Sequence, residues 1–429
     1  MSDHHLVVRE HQTIRLAPNG PLSRAAHAAF LARIPMLPSG VLTPVHEGLR
    51  TGSHCGLIQA DRWTLEILPK IYDLDGPLPD RGALVRMLAV CFDIPVWLDG
   101  TASSDLADDL LRVVIRAYLE EAQRQLRQGW IKSYVDQEDR LTRLRGRLNL
   151  SEQVRRGRAA AHQLHCVFDE LTVDNGFNRV VRAALTLVRP RLPVSSRLAI
   201  QADQLDLALA DVGQLLPGEA LRAQLPHHRL TRRYDRLLLL ASWLLRLLSP
   251  DVHGGAQEGL GLTFDMNRLF QEIVSMALEA AIRRHPLGSR LRLTRERPMR
   301  PLVTDLSGTG RFMMIPDLCL WLDEDLIAIL DTKWKRLSPF QDEHKAGIAQ
   351  SDLYQLLAYG YTYGCNHLTL IYPHHPEMKD WTLPRFSYCS PAGANIALQV
   401  AAFDLGASRS AAGQLLNQQI GGLLHAIFQ

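Results

Sequence analysis

Ile315-Pro-Asp-Leu-Cys-Leu-Trp-Leu-Asp-Glu-Asp-Leu-Ile-Ala-Ile-Leu-Asp-Thr-Lys333 carries the decisive pattern of this chain. Two apolar runs flank the acidic stretch Asp323-Glu-Asp325, a natural hairpin turn. The second run, Leu326-Ile-Ala-Ile-Leu330, is continuously apolar, as in a strand covered on both faces. It becomes polar at once with Asp331-Thr-Lys333. Strand side chains alternate, so Asp331 and Lys333 emerge on one face and Thr332 on the other, where the buried strand reaches solvent. Asp317 interrupts the preceding apolar strand, and the turn returns the chain from it toward Asp331. Two carboxylates and one lysine are thereby expected to converge.

That grouping suits phosphodiester hydrolysis. Asp317 and Asp331 offer hard oxygen ligands to Mg²⁺, with Mn²⁺ a possible substitute, and such an ion polarises a scissile phosphate and acidifies an attacking water. Lys333 then positions that water or stabilises developing charge, and the backbone carbonyl of Thr332 is a further candidate ligand. A charged strand end with an ordinary ion pair is the plain alternative. Pro-Asp recurs at Pro79-Asp80 and Pro250-Asp251, and an acid-x-Lys at Glu343-His-Lys345 and Glu377-Met-Lys379. Only Pro316-Asp317 is followed, after a turn, by an apolar strand ending in Asp-x-Lys, the PD-(D/E)xK pattern.

Around it the spacing predicts a helix over Asn267 to Arg284 and strands over Arg290 to Glu296, Phe312 to Leu322 and Leu326 to Lys333. A helix over Glu343 to Tyr363 and a strand over His367 to Tyr372 follow. The result is an α/β core, a mixed sheet flanked by helices. Asp352, Gln355 and Tyr359 share one face of the later helix, suited to DNA backbone or to bracing a metal site, or else a polar stripe beside the sheet. Glu272 on the earlier helix is a candidate further acid or part of a solvated face. Arg290, Arg292 and Arg295 are candidate phosphate contacts, or the charge that blunts an edge strand.

The remainder reads as α+β and multidomain. Residues 1–100 form a small β-rich module, with a hairpin in Gly56 to Lys70. Residues 101–250 carry Leu, Ala and Arg at helical spacing and predict a mostly α-helical middle domain. Asp99 to Ser104 is a loop candidate and Asp251 to Gly261, rich in glycine, the linker candidate. The nuclease-like domain then spans 262–429. The chain of 429 residues is 46% hydrophobic and 22% charged with a net charge of +3, ordinary for a globular protein and without a global basic field, so any nucleic-acid contact must be local. Six scattered cysteines without a CxxC pair indicate neither a zinc ribbon nor a disulfide framework and fit a cytoplasmic protein. The apolar run Leu237 to Leu248 is too short to cross a bilayer and predicts a buried helix. The paired histidines at 4–5, 227–228 and 374–375 diverge on either a helix or a strand, which favours packing or surface roles.

Beyond these local patterns, Pro316-Asp317, Ile329-Leu-Asp-Thr-Lys-Trp-Lys335, Ser351-Asp-Leu-Tyr-Gln-Leu-Leu-Ala-Tyr-Gly360 and Leu370-Ile-Tyr-Pro-His374 resemble the catalytic region of the McrC family. This family supplies the nuclease subunit of the McrBC modification-dependent (5-methylcytosine) restriction systems used in phage defence. Tyr134, Leu144 to Leu148, Phe168 to Thr172 and Asp174-Asn-Gly-Phe-Asn-Arg179 are similar to its middle region, and Gly56 to Lys70 to the N-terminal module of its longer members. The resemblance implies a Mg²⁺-dependent endonuclease of the PD-(D/E)xK superfamily, with Gln355 and Tyr359 in a supporting QxxxY element. It also implies docking on a McrB-like hexameric AAA+ GTPase that handles methylated double-stranded DNA. Arg143, Arg145 and Arg147 are candidates for that interface, or an exposed structural helix end. No G-x-x-x-x-G-K-[ST] loop occurs, so nucleotide hydrolysis is expected from the partner. A catalytically silent assembly and activator subunit is the alternative.

Overall fold

The apolar runs on either side of the acidic turn form the antiparallel strands Leu318–Leu322 and Asp325–Thr332, with Leu318 opposite Leu330. The computed structural model describes residues 4–18, 20–71, 78–92, 94, 110–155, 162–229, 231–249, 261–337, 347–378, 381–389, 395–405, 422, 424 and 427. The expected loop at 99–104, the linker at 251–260 and the predicted helix start at 343–346 lie outside them.

By contact the chain divides into two units, 1–110 with 263–429, and 111–262. The first holds a six-stranded mixed sheet in the order Leu291–Arg295, Leu318–Leu322, Asp325–Thr332, His367–Pro373, Asn395–Phe403 and Arg385–Cys389. Asp325–Thr332, His367–Pro373 and Asn395–Phe403 run parallel at its centre, and the outer pairings are antiparallel. The helices Met266–Ile282 and Gln350–Tyr363 and the strands Leu291–Arg295, Asp325–Thr332 and His367–Pro373 match the predicted elements. Ala328, Ile329 and Leu330 are fully buried. Ile329 and Leu330 each contribute about 1.5–3 kcal/mol by leaving water.

The strand expected over Phe312 to Leu322 is instead two strands. Gly310–Met314 pairs with Arg300–Thr304 in a separate two-stranded hairpin, and the main-sheet strand begins at Leu318. Pro316 stands at the break, where its missing N–H would leave a ladder position without a donor. The last two strands of the main sheet, Asn395–Phe403 and Arg385–Cys389, lie beyond the elements read from the sequence.

The N-terminal residues build two small sheets, His5–Arg9, Trp63–Leu68, His54–Ala60 and Gly261–Asp265 in one, Thr13–Arg15, Gly48–Thr51 and Leu42–Val45 in the other. The hairpin read in Gly56 to Lys70 is the pair His54–Ala60 and Trp63–Leu68. The sequence reading set 1–100 and 262–429 apart, whereas contacts group them, because they share buried chemistry. Arg86 Nε donates to the Leu405 carbonyl at 2.6 Å, and the Trp334 indole N–H lies 2.9 and 3.1 Å from the two Glu10 carboxylate oxygens. The helix Leu78–Cys91 packs on Met266–Ile282.

The second unit is helical with one inserted sheet. Leu110–Arg127, Gly176–Val188, Arg197–Ala208 and Asp235–Leu248 are its longer helices, the last burying Leu237, Leu240, Leu244 and Leu245 as its apolar run predicted. In Asp174-Asn-Gly-Phe-Asn-Arg179, Asn175 caps Gly176–Val188 through the Asn178 N–H, and Asp174 holds Arg179 at 2.6 and 2.9 Å. The expectation of a mostly helical domain missed a three-stranded sheet of Ser133–Leu141, Leu164–Thr172 and Arg147–Leu148. Ser133–Leu141 is largely exposed, so its sequence lacks the apolar alternation that marks a half-buried strand. No helix among the described residues is long and apolar enough to cross a membrane.

Candidate active site

Asp317 sits just ahead of Leu318–Leu322, and its carbonyl accepts the Glu296 N–H at 3.0 Å. Its Oδ2 accepts two hydrogen bonds from Thr332, from the backbone N–H at 2.8 Å and the hydroxyl at 2.7 Å. Asp331 and Lys333 stand at the same strand end, where Leu330 is opposite Leu318. Asp331 is 1% exposed, and Lys333 Nζ lies 2.6 Å from its Oδ2. The lysine also donates to Gln355 Oε1 at 2.9 Å. Gln355 Nε2 in turn donates to the Tyr359 hydroxyl at 2.8 Å, which donates to the Ile315 carbonyl at 3.0 Å. The predicted triad is therefore gathered at one strand end and braced by the predicted helix face.

Burial raises the Asp331 pKa to about 6, and the neighbouring Asp317 carboxylate adds to the rise while Lys333 opposes it. Burial likewise lifts the Tyr359 phenol to about 12, with Gln355 working against the shift and both carboxylates adding to it. Tyr359 therefore remains a hydrogen-bond donor at neutral pH.

The carboxylates fit a divalent cation. Asp331 Oδ2 is buried, and the Lys333 ammonium 2.6 Å away is the positive charge that meets it. Asp317 and Asp331 set two neighbouring carboxylates against the one Lys333 ammonium, an excess of negative charge that a divalent cation would offset. Among the described residues no three His, Cys, Asp or Glu side chains gather in metal-binding geometry. A cation here would rest on Asp317, Asp331, the Thr332 carbonyl and water, and Mg²⁺ keeps several waters in such sites.

The other candidates have partners outside the triad. Glu272 and Glu279 hold Arg295 at 2.6 and 2.7 Å. Arg290 pairs with Asp323, its Nε 3.0 Å from Oδ2, and the Arg292 guanidinium lies 5.1 Å from the Trp321 ring centroid. Arg143, Arg145 and Arg147 lie in the second unit on the exposed segment leading into Arg147–Leu148, not at a helix end. Arg145 stacks over Phe168 at 4.0 Å and reaches Glu170 at 3.5 Å.

Sequence reasoning passed over two groups beside the site. Lys335 Nζ donates to both oxygens of the buried Asp352 at 2.9 and 2.8 Å, tying the segment after Lys333 to the start of Gln350–Tyr363. Asp352 was legible on the helix face, but its partner was not. Trp334, between the two lysines, is anchored on Glu10, whose pKa burial raises to about 7 against hydrogen bonds from Lys70 and Trp334. No local signal links positions so far apart in sequence.

In sequence, residues 49–373 match the family described as McrBC 5-methylcytosine restriction system component. No curated protein matches. In fold, the chain is similar to a chain of the refined half-complex from the tetradecameric assembly of Thermococcus gammatolerans McrB AAA+ hexamers with bound McrC. The TM-score is 0.71 at 17% identity, over 98% of this chain and 100% of that one. It is also similar to a chain in the cryo-EM structure of the Thermococcus gammatolerans McrBC complex, with a TM-score of 0.50 at 19% identity over 65% and 88%.

Proposed function

Since the chain belongs to the McrBC 5-methylcytosine restriction system component family, we propose that it is the DNA-cutting subunit of such a system. In this reading it is a metal-dependent endonuclease of the PD-(D/E)xK type that works with a McrB-like AAA+ GTPase hexamer on double-stranded DNA. The observation that carries the proposal is the meeting of Asp317, Asp331 and Lys333 where the buried part of a strand reaches solvent. Two carboxylates share this strand end with one ammonium, and the Asp317 charge adds to burial in holding the Asp331 pKa up.

Asp317, Asp331 and the Thr332 carbonyl would hold Mg²⁺, or Mn²⁺ in its place. Bound there, the ion would polarise the scissile phosphate and lower the pKa of an attacking water. Thr332 fixes the rotamer of Asp317 by two hydrogen bonds. Gln355 and Tyr359 hold the Lys333 ammonium beside Asp331, where it can orient the water or meet charge developing on the phosphate. Phosphate contacts by Arg290, Arg292 and Arg295 would exchange their present carboxylate and ring partners for DNA. The exposed Arg143, Arg145 and Arg147 segment is the contact this reading gives to the AAA+ partner.

A silent assembly subunit is favoured by one observation, the lack of a third acidic side chain in the cluster among the described residues. Cleavage of methylated plasmid in Mg²⁺ and GTP, with the cognate AAA+ partner, decides between the two. Asp331→Ala and Lys333→Ala are expected to lose cleavage yet still stimulate GTP hydrolysis. Wild-type protein that stimulates hydrolysis but never cuts, or variants that cut as wild type does, would transfer the assignment to the silent subunit.

A further inference from the structure

The hairpin of Arg300–Thr304 and Gly310–Met314 belongs to no larger sheet, and every residue of its two strands except Met314 is exposed. It nonetheless displays Leu302, Val303, Leu306, Phe312 and Met313 to solvent. Phe312 is 76% exposed, and its φ of 54° is in the left-handed region. A bulky side chain there is a genuine outlier, and a ring in water recovers nothing for the strain. Strain of this kind at an exposed aromatic side chain points to use rather than packing.

The hairpin is tied to the catalytic cluster. The Tyr363 hydroxyl lies 2.8 Å from the Pro298 carbonyl and 2.6 Å from that of Met314, spanning both strands at the root with its single proton. One turn earlier on the same helix, Tyr359 holds the Ile315 carbonyl and, through Gln355, Lys333. Phe312 stands five residues from Asp317, at most about 18 Å of chain. That is about half of a helical turn of duplex, whose length is about 34 Å.

The segment 297–314 carries three arginines and one aspartate. Arg311 is paired with that aspartate, Asp305, at 2.9 Å, and Arg300 lies exposed over the Tyr363 ring at 5.3 Å. The local charge suits a phosphate backbone, and a two-stranded ribbon is narrow enough to enter a DNA groove.

From this placement we propose that the hairpin 300–314 is a DNA-holding ribbon, with Phe312 as its apolar contact to the duplex and Arg300 as a phosphate contact. The inference rests on the nuclease reading, since it is DNA at Asp317 and Asp331 that comes within reach of the hairpin.

The test is binding of the full-length chain to a short fluorescent duplex, measured by anisotropy over a range of salt, alongside cleavage with the partner present. Phe312→Ser is expected to weaken binding about ten-fold, from loss of a buried apolar contact, with its salt slope unchanged because no charge is removed. Arg300→Ala is expected to reduce the salt slope by about one. Asp331→Ala should fail to cut. If both hairpin variants bind as wild type does while Asp331→Ala alone loses cleavage, the nuclease reading stands and the ribbon is overturned. If the Phe312 variant instead changes sedimentation from dimer to monomer at unchanged DNA affinity, the surface belongs to a second copy of this chain and the proposal falls. If Asp331→Ala cuts normally, the nuclease reading fails, and the affinities still report on the ribbon by themselves.

Discussion

Asp331→Asn isolates the electrostatics of the site without removing its volume. Burial, and after it the Asp317 charge, lift this carboxyl from 3.8 to about 6. At about 1.4 kcal/mol per pH unit, that rise corresponds to about 3 kcal/mol against the ionised form. Because the folded-state pKa is raised, the stabilisation is fully present below the unfolded value near 3.8 and is lost as pH rises through about 6. Above that pH the fold carries an ionised buried carboxylate that Lys333 offsets only in part. A divalent cation meets the same charge, and at a concentration about 100 times its dissociation constant it adds about 2.7 kcal/mol. The assay is the thermal midpoint of the full chain with and without Mg²⁺, at pH 5 and pH 8. Wild-type protein is expected to gain a few degrees from Mg²⁺ at pH 8 and little at pH 5. Asp331→Asn should be at least as stable as wild type at pH 8 without the ion and should not respond to it. An equal Mg²⁺ response in the variant, or none in wild type at pH 8, would refute the reasoning about this carboxylate.

Trp334→Phe leaves the buried Glu10 carboxylate without its indole donor, which is expected to cost about 1–3 kcal/mol in urea unfolding. Adding Glu10→Gln should recover part of that loss. Gly146 has φ 67°, and a Cβ there would stand 2.3 Å from the Val167 carbonyl oxygen. Gly146→Ala is therefore expected to loosen the three-stranded sheet that carries Arg143, Arg145 and Arg147, raising proteolysis there and reducing GTPase stimulation more than it affects Mg²⁺ binding. Tyr359→Phe keeps the ring but removes the donor to the Ile315 carbonyl, and kcat for cleavage is expected to fall several-fold with metal affinity little changed.

The candidate triad was legible because its spacing is local. An apolar strand ending in Asp331-Thr-Lys333, with a tight acidic turn before it, fixes which side chains share a face whatever lies elsewhere in the chain. The helix face of Asp352, Gln355 and Tyr359 is likewise set by a period of 3.6 residues. Elements with little burial to shape their sequence escaped notice. The strand Ser133–Leu141 is mostly exposed, and the hairpin 300–314 shows apolar side chains to solvent, so neither has the alternation that a half-buried strand displays.

By itself the sequence determined the order of the central elements around the site, the convergence of Asp317, Asp331 and Lys333, and the family resemblance, all of them encoded in short windows or in residue identity. Only the tertiary structure decided that Glu10 supports Trp334 across 324 positions and that Lys335 belongs to Asp352. It also decided that Arg295 is held by two glutamates. Pairings of this kind depend on which distant surfaces the folded backbone brings within hydrogen-bonding reach. No periodicity records that choice, because many partners are compatible with the same local pattern and only the packed core selects one.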